Sequence, residues 1–174
     1  MPDRRHLWRG IHDPDTVRAA VDTELLASQA NDRVRAQLVV ANRDVGHAFP
    51  SYVTPRVVLS VYQVDASGRE LIDTRIEAVI GREVDLGSGT ERFDTRLLPG
   101  ASAKLEYDQP RAQGGAAVVG RVWIDPDFHY RGVFASLSTA YASEPARAEM
   151  REALRRTADS GYLLSEIRCE LSAR

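Results

Sequence analysis

The length, composition and charge of this chain exclude several classes of protein before any motif is considered. With 174 residues, the chain is long enough to bury the hydrophobic core of one domain. Its formal net charge of −2 gives no overall basic field, which argues against nucleic-acid binding. Because Cys169 is the only cysteine, no internal disulfide can form, and we expect the fold to depend on packing.

The first segment, residues 1–13, is polar and has neither a helical nor a strand period, so we interpret it as an arm that packs on another surface. Asp13-Pro14 then predicts the start of a short helix that ends near Val21, with Asp13 as the N-cap. No apolar run is long enough for a membrane span, and no signal-peptide core follows Met1. If the chain is complete as written, it is therefore predicted to be cytoplasmic.

After this helix, and up to about Ile124, the hydrophobic period changes to two, which is typical of β-strands. The residues from Val34 to Val40 alternate between apolar and polar, as in a strand with one face in solvent. The segment 57–64 is apolar on both faces, which indicates a central strand. Further strands are predicted at 72–80, 93–97, 103–107 and 118–124. Short strands without intervening helices predict a mainly β, antiparallel β-sandwich of the immunoglobulin-like type.

Two helices and a last strand are predicted after these strands. Asp125-Pro126 repeats the cap-and-proline signal and predicts one helix, and Ser143-Glu144-Pro145 predicts the second. An alternating pattern then predicts a strand that returns to a sheet. The sequence thus predicts a single β-sandwich domain over residues 14–174, with a helical segment at about 126–160 and a final strand at about 162–171.

Three histidines lie where no packing period explains them. Imidazole can serve as an axial haem ligand, a metal ligand or a proton carrier near neutral pH. His6 and His12 lie in the arm, and His47 lies in a loop between two predicted strands. The alternative is that each is a solvated or locally hydrogen-bonded side chain. A zinc site that adds Asp13 or Asp15 to these histidines is a further alternative, although the spacing of His6 and His12 is not one that a zinc knuckle favours.

The rest of the chain supports no catalytic constellation. Gly87-Ser88-Gly89 lacks the strand-to-helix setting of a nucleophile elbow, and Gly114-Gly115 precedes a strand rather than the helix that a phosphate-binding loop needs. Asp127 and His129 could form an acid–base pair. Helix capping by Asp125 and a favourable interaction of Asp127 with the helix dipole explain both acids more simply. We therefore expect no catalysis by this chain alone.

Three segments, in order, carry a resemblance to a known family. They are Met1-Pro2, His6-Leu7-Trp8-Arg9-Gly10-Ile11-His12-Asp13 and Asn42-Arg43-Asp44-Val45-Gly46-His47-Ala48-Phe49-Pro50. Together they resemble the region after the last haem motif of bacterial multihaem c-type cytochromes of the hydroxylamine oxidoreductase and tetrahaem cytochrome group. The segment 122–130 is similar to the strand that leads from that family's sandwich into a helix. The chain departs from the family in having no Cys-x-x-Cys-His motif, and in Ser51, where the family has threonine.

The resemblance implies a non-catalytic C-terminal domain that covers the haems of a periplasmic, electron-transferring multihaem cytochrome. It makes His6, His12 and His47 candidates to ligate or neighbour a haem iron. The haem would come from an upstream segment of the same parent protein or from a cytochrome partner, because this chain has no motif that could bind haem covalently. One explanation of the missing motif is that Met1 is the methionine that directly follows it in the parent protein.

A second function, from a different class, is a stand-alone immunoglobulin-like binding module for a protein or glycan partner. Such a module would carry an exposed aromatic patch on one sheet face. Candidate residues for that patch are Tyr62, Trp123 and Tyr107.

Overall fold

The computed structural model describes residues 10–85, 87–140 and 143–172. These residues form three helices and eight strands. The helices are α1 (Pro14–Ala20), α2 (Phe128–Ala140) and α3 (Glu144–Ala158). The strands are β1 (Val21–Ala30), β2 (Arg33–Asn42), β3 (Arg56–Val64), β4 (Ile76–Val84), β5 (Glu91–Asp94), β6 (Ser102–Pro110), β7 (Ala117–Asp125) and β8 (Tyr162–Glu170).

The strands form two sheets in which every pairing is antiparallel. One sheet has three strands in the order β1-β2-β6, and the other has five in the order β5-β4-β3-β7-β8. β3 lies at the centre of the larger sheet, which explains why it is apolar on both faces. The predicted mainly β sandwich is therefore confirmed.

The core lies between the two sheets and is built by residues of alternating parity. Val34 and Leu38 of β2 belong to the same buried cluster as Leu59 of β3 and Val122 of β7. Two polar residues also lie in this interior: Asn42 at the end of β2 and Gln63 near the end of β3. Because a buried polar group is costly unless it is hydrogen-bonded, both must find partners inside the sandwich.

The strand predicted at 72–80 is partly wrong. Strand β4 begins only at Ile76, and Ile72 is among the most exposed apolar side chains of the described residues. Asp73 has a φ of 64°, which ends any extended alternation there. The hydroxyl of Thr74 donates to the Leu71 carbonyl at 2.8 Å and accepts from the Gln63 amide at 3.0 Å, so this segment forms a turn that caps β3.

The predicted strand at 93–97 is shorter and lies earlier, and a first strand was not predicted at all. β5 ends at Asp94, and Leu97 pairs instead with Phe49 in an isolated bridge. β1 follows directly from α1, but Leu26 interrupts its alternation because it points outward. The interrupted pattern explains why periodicity does not reveal β1.

Helix α1 forms as predicted. The Asp13 side chain accepts hydrogen bonds from the amides of Asp15 and Thr16, both at 3.1 Å, and so caps the helix. Capping of α2 by Asp125 is wrong, because Asp125 is the last residue of β7 and its carboxylate accepts a hydrogen bond of 2.8 Å from Arg131.

Helices α2 and α3 pack on each other as a hairpin at one end of the sandwich. Neither helix has a buried residue. The base of the hairpin is held by the Arg131 guanidinium, which also donates to the Thr157 carbonyl at 3.0 Å, and by the His129 amide, which donates to the Thr54 carbonyl at 3.1 Å. The hairpin therefore rests on the sandwich mainly through its first turn.

Candidate histidine site

His47 lies on the loop that crosses from β2 in the smaller sheet to β3 in the larger one. The loop is held against the core by Phe49, which is buried. Phe49 and Leu97 exchange two backbone hydrogen bonds, both of 2.8 Å. The loop carrying His47 is thus fixed to the segment between β5 and β6.

Asn42 anchors the same loop from inside the sandwich. Its side chain is fully buried, and its Nδ2 donates to the carbonyl of His47 at 2.9 Å and to that of Leu97 at 3.0 Å. Its Oδ1 accepts from the Val45 amide at 3.1 Å. One buried amide therefore satisfies backbone groups on two segments and fixes the backbone of His47 relative to the core.

The imidazole of His47 is exposed, and its two nitrogens differ in their surroundings. Nδ1 lies 3.0 Å from the Ala48 carbonyl oxygen and 3.3 Å from the hydroxyl of Ser51. Because a carbonyl can only accept, the shorter contact requires a proton on Nδ1, and in the neutral imidazole this leaves the lone pair on Nε2. In the part of the chain that the structure describes, Nε2 has no hydrogen-bond partner.

Arg96 supports the loop from the outer side. Its Nη1 donates to the Ser51 carbonyl at 3.0 Å, while its Nε and Nη2 donate to the carboxylate of Asp94 at 2.9 and 2.6 Å. The Arg96 guanidinium lowers the pKa of Asp94 from 3.8 to about 2. The carboxylate therefore stays ionised and orients Arg96 towards the loop.

His12 lies near this loop but is held differently. Ile11 and His47 line the same cavity of about 130 Å³ between the arm and the loop. His12 Nε2 lies 3.2 Å from Oδ1 of Asp127, whose side chain is mostly buried. Asp127 directly precedes α2, so its predicted interaction with the helix dipole stays a prediction, and the structure adds its contact with His12 of the arm.

The arm has a second attachment point beside this pair. The hydroxyl of Tyr162 at the start of β8 donates to the Ile11 carbonyl at 2.8 Å, and burial raises the pKa of that hydroxyl. His6, the remaining predicted site residue, lies outside the described residues. The structure therefore brings His12 and His47 to one end of the sandwich and leaves the prediction for His6 as it was.

The alternatives from sequence find little support in this geometry. Within residues 10–85, 87–140 and 143–172, no group of three or more His, Cys, Asp or Glu side chains could hold a metal ion. Of the three residues predicted for the exposed aromatic patch of a binding module, Tyr62 and Tyr107 are buried, so the prediction is wrong for them, and Trp123 is exposed. No helix among the described residues is long and apolar enough to cross a membrane.

No protein-family model matches the chain, and no curated protein matches it in sequence. A solved structure does match in fold, that of a penta-haem cytochrome c552 from Thermochromatium tepidum. The TM-score is 0.65 at 18% sequence identity, and the match covers 94% of this chain and 42% of the cytochrome chain. The chain has the fold of part of a multihaem cytochrome. It spans less than half the length of that cytochrome.

Two residues of the site, Asn42 and Arg96, were not assigned a role from sequence, and the pairing of Asp127 with His12 was not predicted. A signal for Asn42 was present, because it continues the buried parity of Val34, Leu38 and Val40 in a strand with one wet face. A polar residue on that parity predicts a buried hydrogen-bond hub. The contacts of Arg96 and Asp127 join segments far apart in sequence, and no local pattern reveals them.

Proposed function

We propose that this chain is a non-catalytic domain of a multihaem c-type cytochrome, and that His47 supplies an axial ligand to one haem iron. The parent would belong to the hydroxylamine oxidoreductase and tetrahaem cytochrome group and act in the periplasm. The haem would be carried by an upstream segment of the same protein. The observation that carries the proposal is the exposed imidazole of His47 on a loop anchored in the core, whose Nε2 has no hydrogen-bond partner among residues 10–85, 87–140 and 143–172.

The geometry of His47 fits an iron ligand because its other nitrogen is already engaged. Histidines that bind metals usually donate the second ring N–H to a carbonyl or carboxylate, which fixes the tautomer and the ring orientation. The Ala48 carbonyl takes that position at 3.0 Å from Nδ1. Asn42 binds the carbonyl of His47 and Arg96 binds that of Ser51, so the backbone of the loop is already ordered. Ligation would therefore cost little further conformational entropy.

His12 fits the ligand role less well. Its Nε2 faces Asp127 at 3.2 Å, so this nitrogen is engaged in holding the arm to the start of α2. We therefore assign His12 to the neighbourhood of the haem and its arm to the path along which the upstream segment enters. His6 stays a ligand candidate by resemblance alone.

A bound haem supplies one-electron redox chemistry, and the protein's share is to set its axial ligand and its exposure. In this domain, His47 would provide the ligand nitrogen. The Ala48 carbonyl would accept the hydrogen bond from Nδ1 of His47 and thereby raise the basicity of the ligating Nε2. The anchoring by Asn42 would keep the ligand's backbone in one position in both oxidation states, which favours fast electron transfer.

A c-type haem peptide tests the ligand role directly. The haem undecapeptide obtained by proteolysis of a c-type cytochrome has one histidine on its iron and one open axial position. Titrating it into this protein is expected to produce the low-spin spectrum of a bis-histidine haem. His47→Ala is expected to abolish the spectral change. The control is His129→Ala, which removes a histidine of helix α2 and is expected to retain the spectral change.

An unchanged spectrum with the wild-type chain would contradict the ligand assignment. An equal change for wild type and His47→Ala would show that another group binds the iron. A His12→Ala variant then separates the two described candidates at this end of the sandwich.

A further inference from the structure

The cavity of about 130 Å³ between the arm, helix α1 and the His47 loop, hereafter the arm cavity, has a mostly apolar lining. The apolar residues that line it are Ile11, Val17, Ala20, Val45, Phe49 and Pro50. Val17 and Phe49 belong to the buried cluster between the sheets, so the arm cavity borders the core. In proteins, an apolar cavity of roughly 150 Å³ stays dry and accepts a molecule of the size of benzene. The arm cavity therefore suits one aromatic or large aliphatic group.

The described part of the arm begins at the wall of this cavity. Gly10 lines the cavity, and its carbonyl accepts from the Asp13 amide at 2.9 Å in the turn that leads into α1. The next residue is held as well, because the Tyr162 hydroxyl donates to the Ile11 carbonyl at 2.8 Å. The point from which the chain continues towards residues 1–9 is thus fixed beside the arm cavity.

The segment before Gly10 contains a side chain that fits the cavity in size and in reach. Residues 1–9 lie outside the described residues, and they include one of the two tryptophans of the chain, Trp8. Trp8 lies two positions before Gly10, and two extended residues span at most about 7 Å. The six-membered ring of the indole has the size of benzene. Leu7 is one residue farther away, so Trp8 is the nearest large apolar side chain.

We infer that the indole of Trp8 occupies the arm cavity and closes the N-terminal arm over the His47 loop. This occupancy would remove apolar area of both the indole and the cavity wall from water. A buried indole N–H usually finds a hydrogen-bond partner, and three polar side chains line the same cavity, those of Thr16, His47 and Ser51. The surface on which the arm packs is then the domain's own. The inference goes beyond the proposed function and does not require haem.

Tryptophan fluorescence tests the occupancy. In Trp123→Phe, Trp8 is the only remaining tryptophan. Its emission in the folded protein is expected to lie at shorter wavelength, and to be better protected from acrylamide, than in the same protein in urea. The difference between the spectra of wild type and Trp8→Phe gives the emission of Trp8 without a change at Trp123. A Trp8 emission equal to that in urea would overturn the inference.

A larger side chain in the wall shows whether the indole lies in this cavity or elsewhere. Ala20→Leu adds volume to the wall and is expected to displace the indole, which moves the Trp8 emission to longer wavelength. Ala148→Leu is the matched control, because it adds the same volume at an exposed position of α3 and is expected to leave the emission unchanged. Equal emission in the two variants would place the indole outside the cavity and overturn the inference.

Benzene distinguishes Trp8 from other occupants of the cavity. Trp8→Ala is expected to bind benzene in the vacated cavity, which shifts the methyl signals of Val17 and Val45 in NMR spectra, whereas the wild type is not. Benzene binding by the wild type, or none by Trp8→Ala, would overturn the inference. Binding by Leu7→Ala in place of Trp8→Ala would make Leu7 the occupant and overturn it too. None of these measurements contains haem, so their failure leaves the proposed function standing, and a failure of haem ligation leaves this inference standing.

Discussion

The buried Asn42 side chain donates a hydrogen bond of 2.9 Å to the backbone carbonyl of His47. The same nitrogen donates to Leu97, and the amide oxygen accepts from Val45. A residue of the core thereby determines where the exposed imidazole stands. This relationship connects the stability of the sandwich to the geometry of the candidate ligand.

Asn42→Ala is expected to lower the free energy of unfolding by about 2–4 kcal/mol, because buried backbone groups that lose a partner cost about 1–3 kcal/mol each. Urea denaturation measures the loss. The control is Gln37→Ala, which removes a hydrogen bond to the exposed Glu106 side chain and is expected to change the free energy of unfolding by less than about 1 kcal/mol. Equal stability of Asn42→Ala and wild type would contradict the anchoring role.

A second buried polar hub lies at the other end of the core. Gln63 donates from Nε2 to the Tyr107 hydroxyl at 3.0 Å and to the Pro110 carbonyl at 2.8 Å, and its Oε1 accepts from the Ala112 amide at 2.9 Å. Gln63→Leu keeps the volume but leaves the Pro110 carbonyl and the Ala112 amide without this partner, so we expect the free energy of unfolding, measured by urea denaturation, to fall by about 2–3 kcal/mol. A stability equal to that of a Gln37→Leu control would contradict this expectation.

The sequence predicted the sandwich because β2 and β6 alternate between apolar and polar residues, while the segments of β3 and β7 are apolar on both faces, as in central strands. It failed where a local signal conflicted with the tertiary structure. Leu26 is apolar but points to solvent, so β1 lacks a regular alternation of apolar and polar residues. Ile72 fits the alternation of the next predicted strand, but the left-handed backbone at Asp73 separates it from β4. Histidines could be marked as candidates from sequence, but which nitrogen is engaged depends on Ala48, Ser51 and Asp127 in space.

The helical hairpin is expected to open locally far more easily than the core. Helices α2 and α3 have no buried residue, and short helices depend on tertiary packing for most of their stability. In native-state hydrogen exchange of this chain, their amides are expected to exchange through openings that cost several kcal/mol less than those of β3 and β7. Equal protection of the hairpin and of β3 would contradict this expectation.

The outer support of the His47 loop is expected to weaken in acid. The pKa of Asp94 is lowered to about 2 in the folded protein, so its contribution to stability is fully present above its ordinary pKa of 3.8 and is lost as the pH falls through about 2. The difference in unfolding free energy between wild type and Asp94→Asn is therefore expected to shrink as the pH falls from about 5 to about 2. A difference that is constant over this range would contradict the coupling of Asp94 to Arg96.

If this chain is a domain of a haem-bearing parent, the DNA directly upstream of the Met1 codon should encode the missing haem motif. We expect the reading frame to continue upstream without a stop and to encode Cys-x-x-Cys-His immediately before Met1, with further such motifs before it. An in-frame stop codon followed by a ribosome-binding site, with no haem motif between, would contradict the claim.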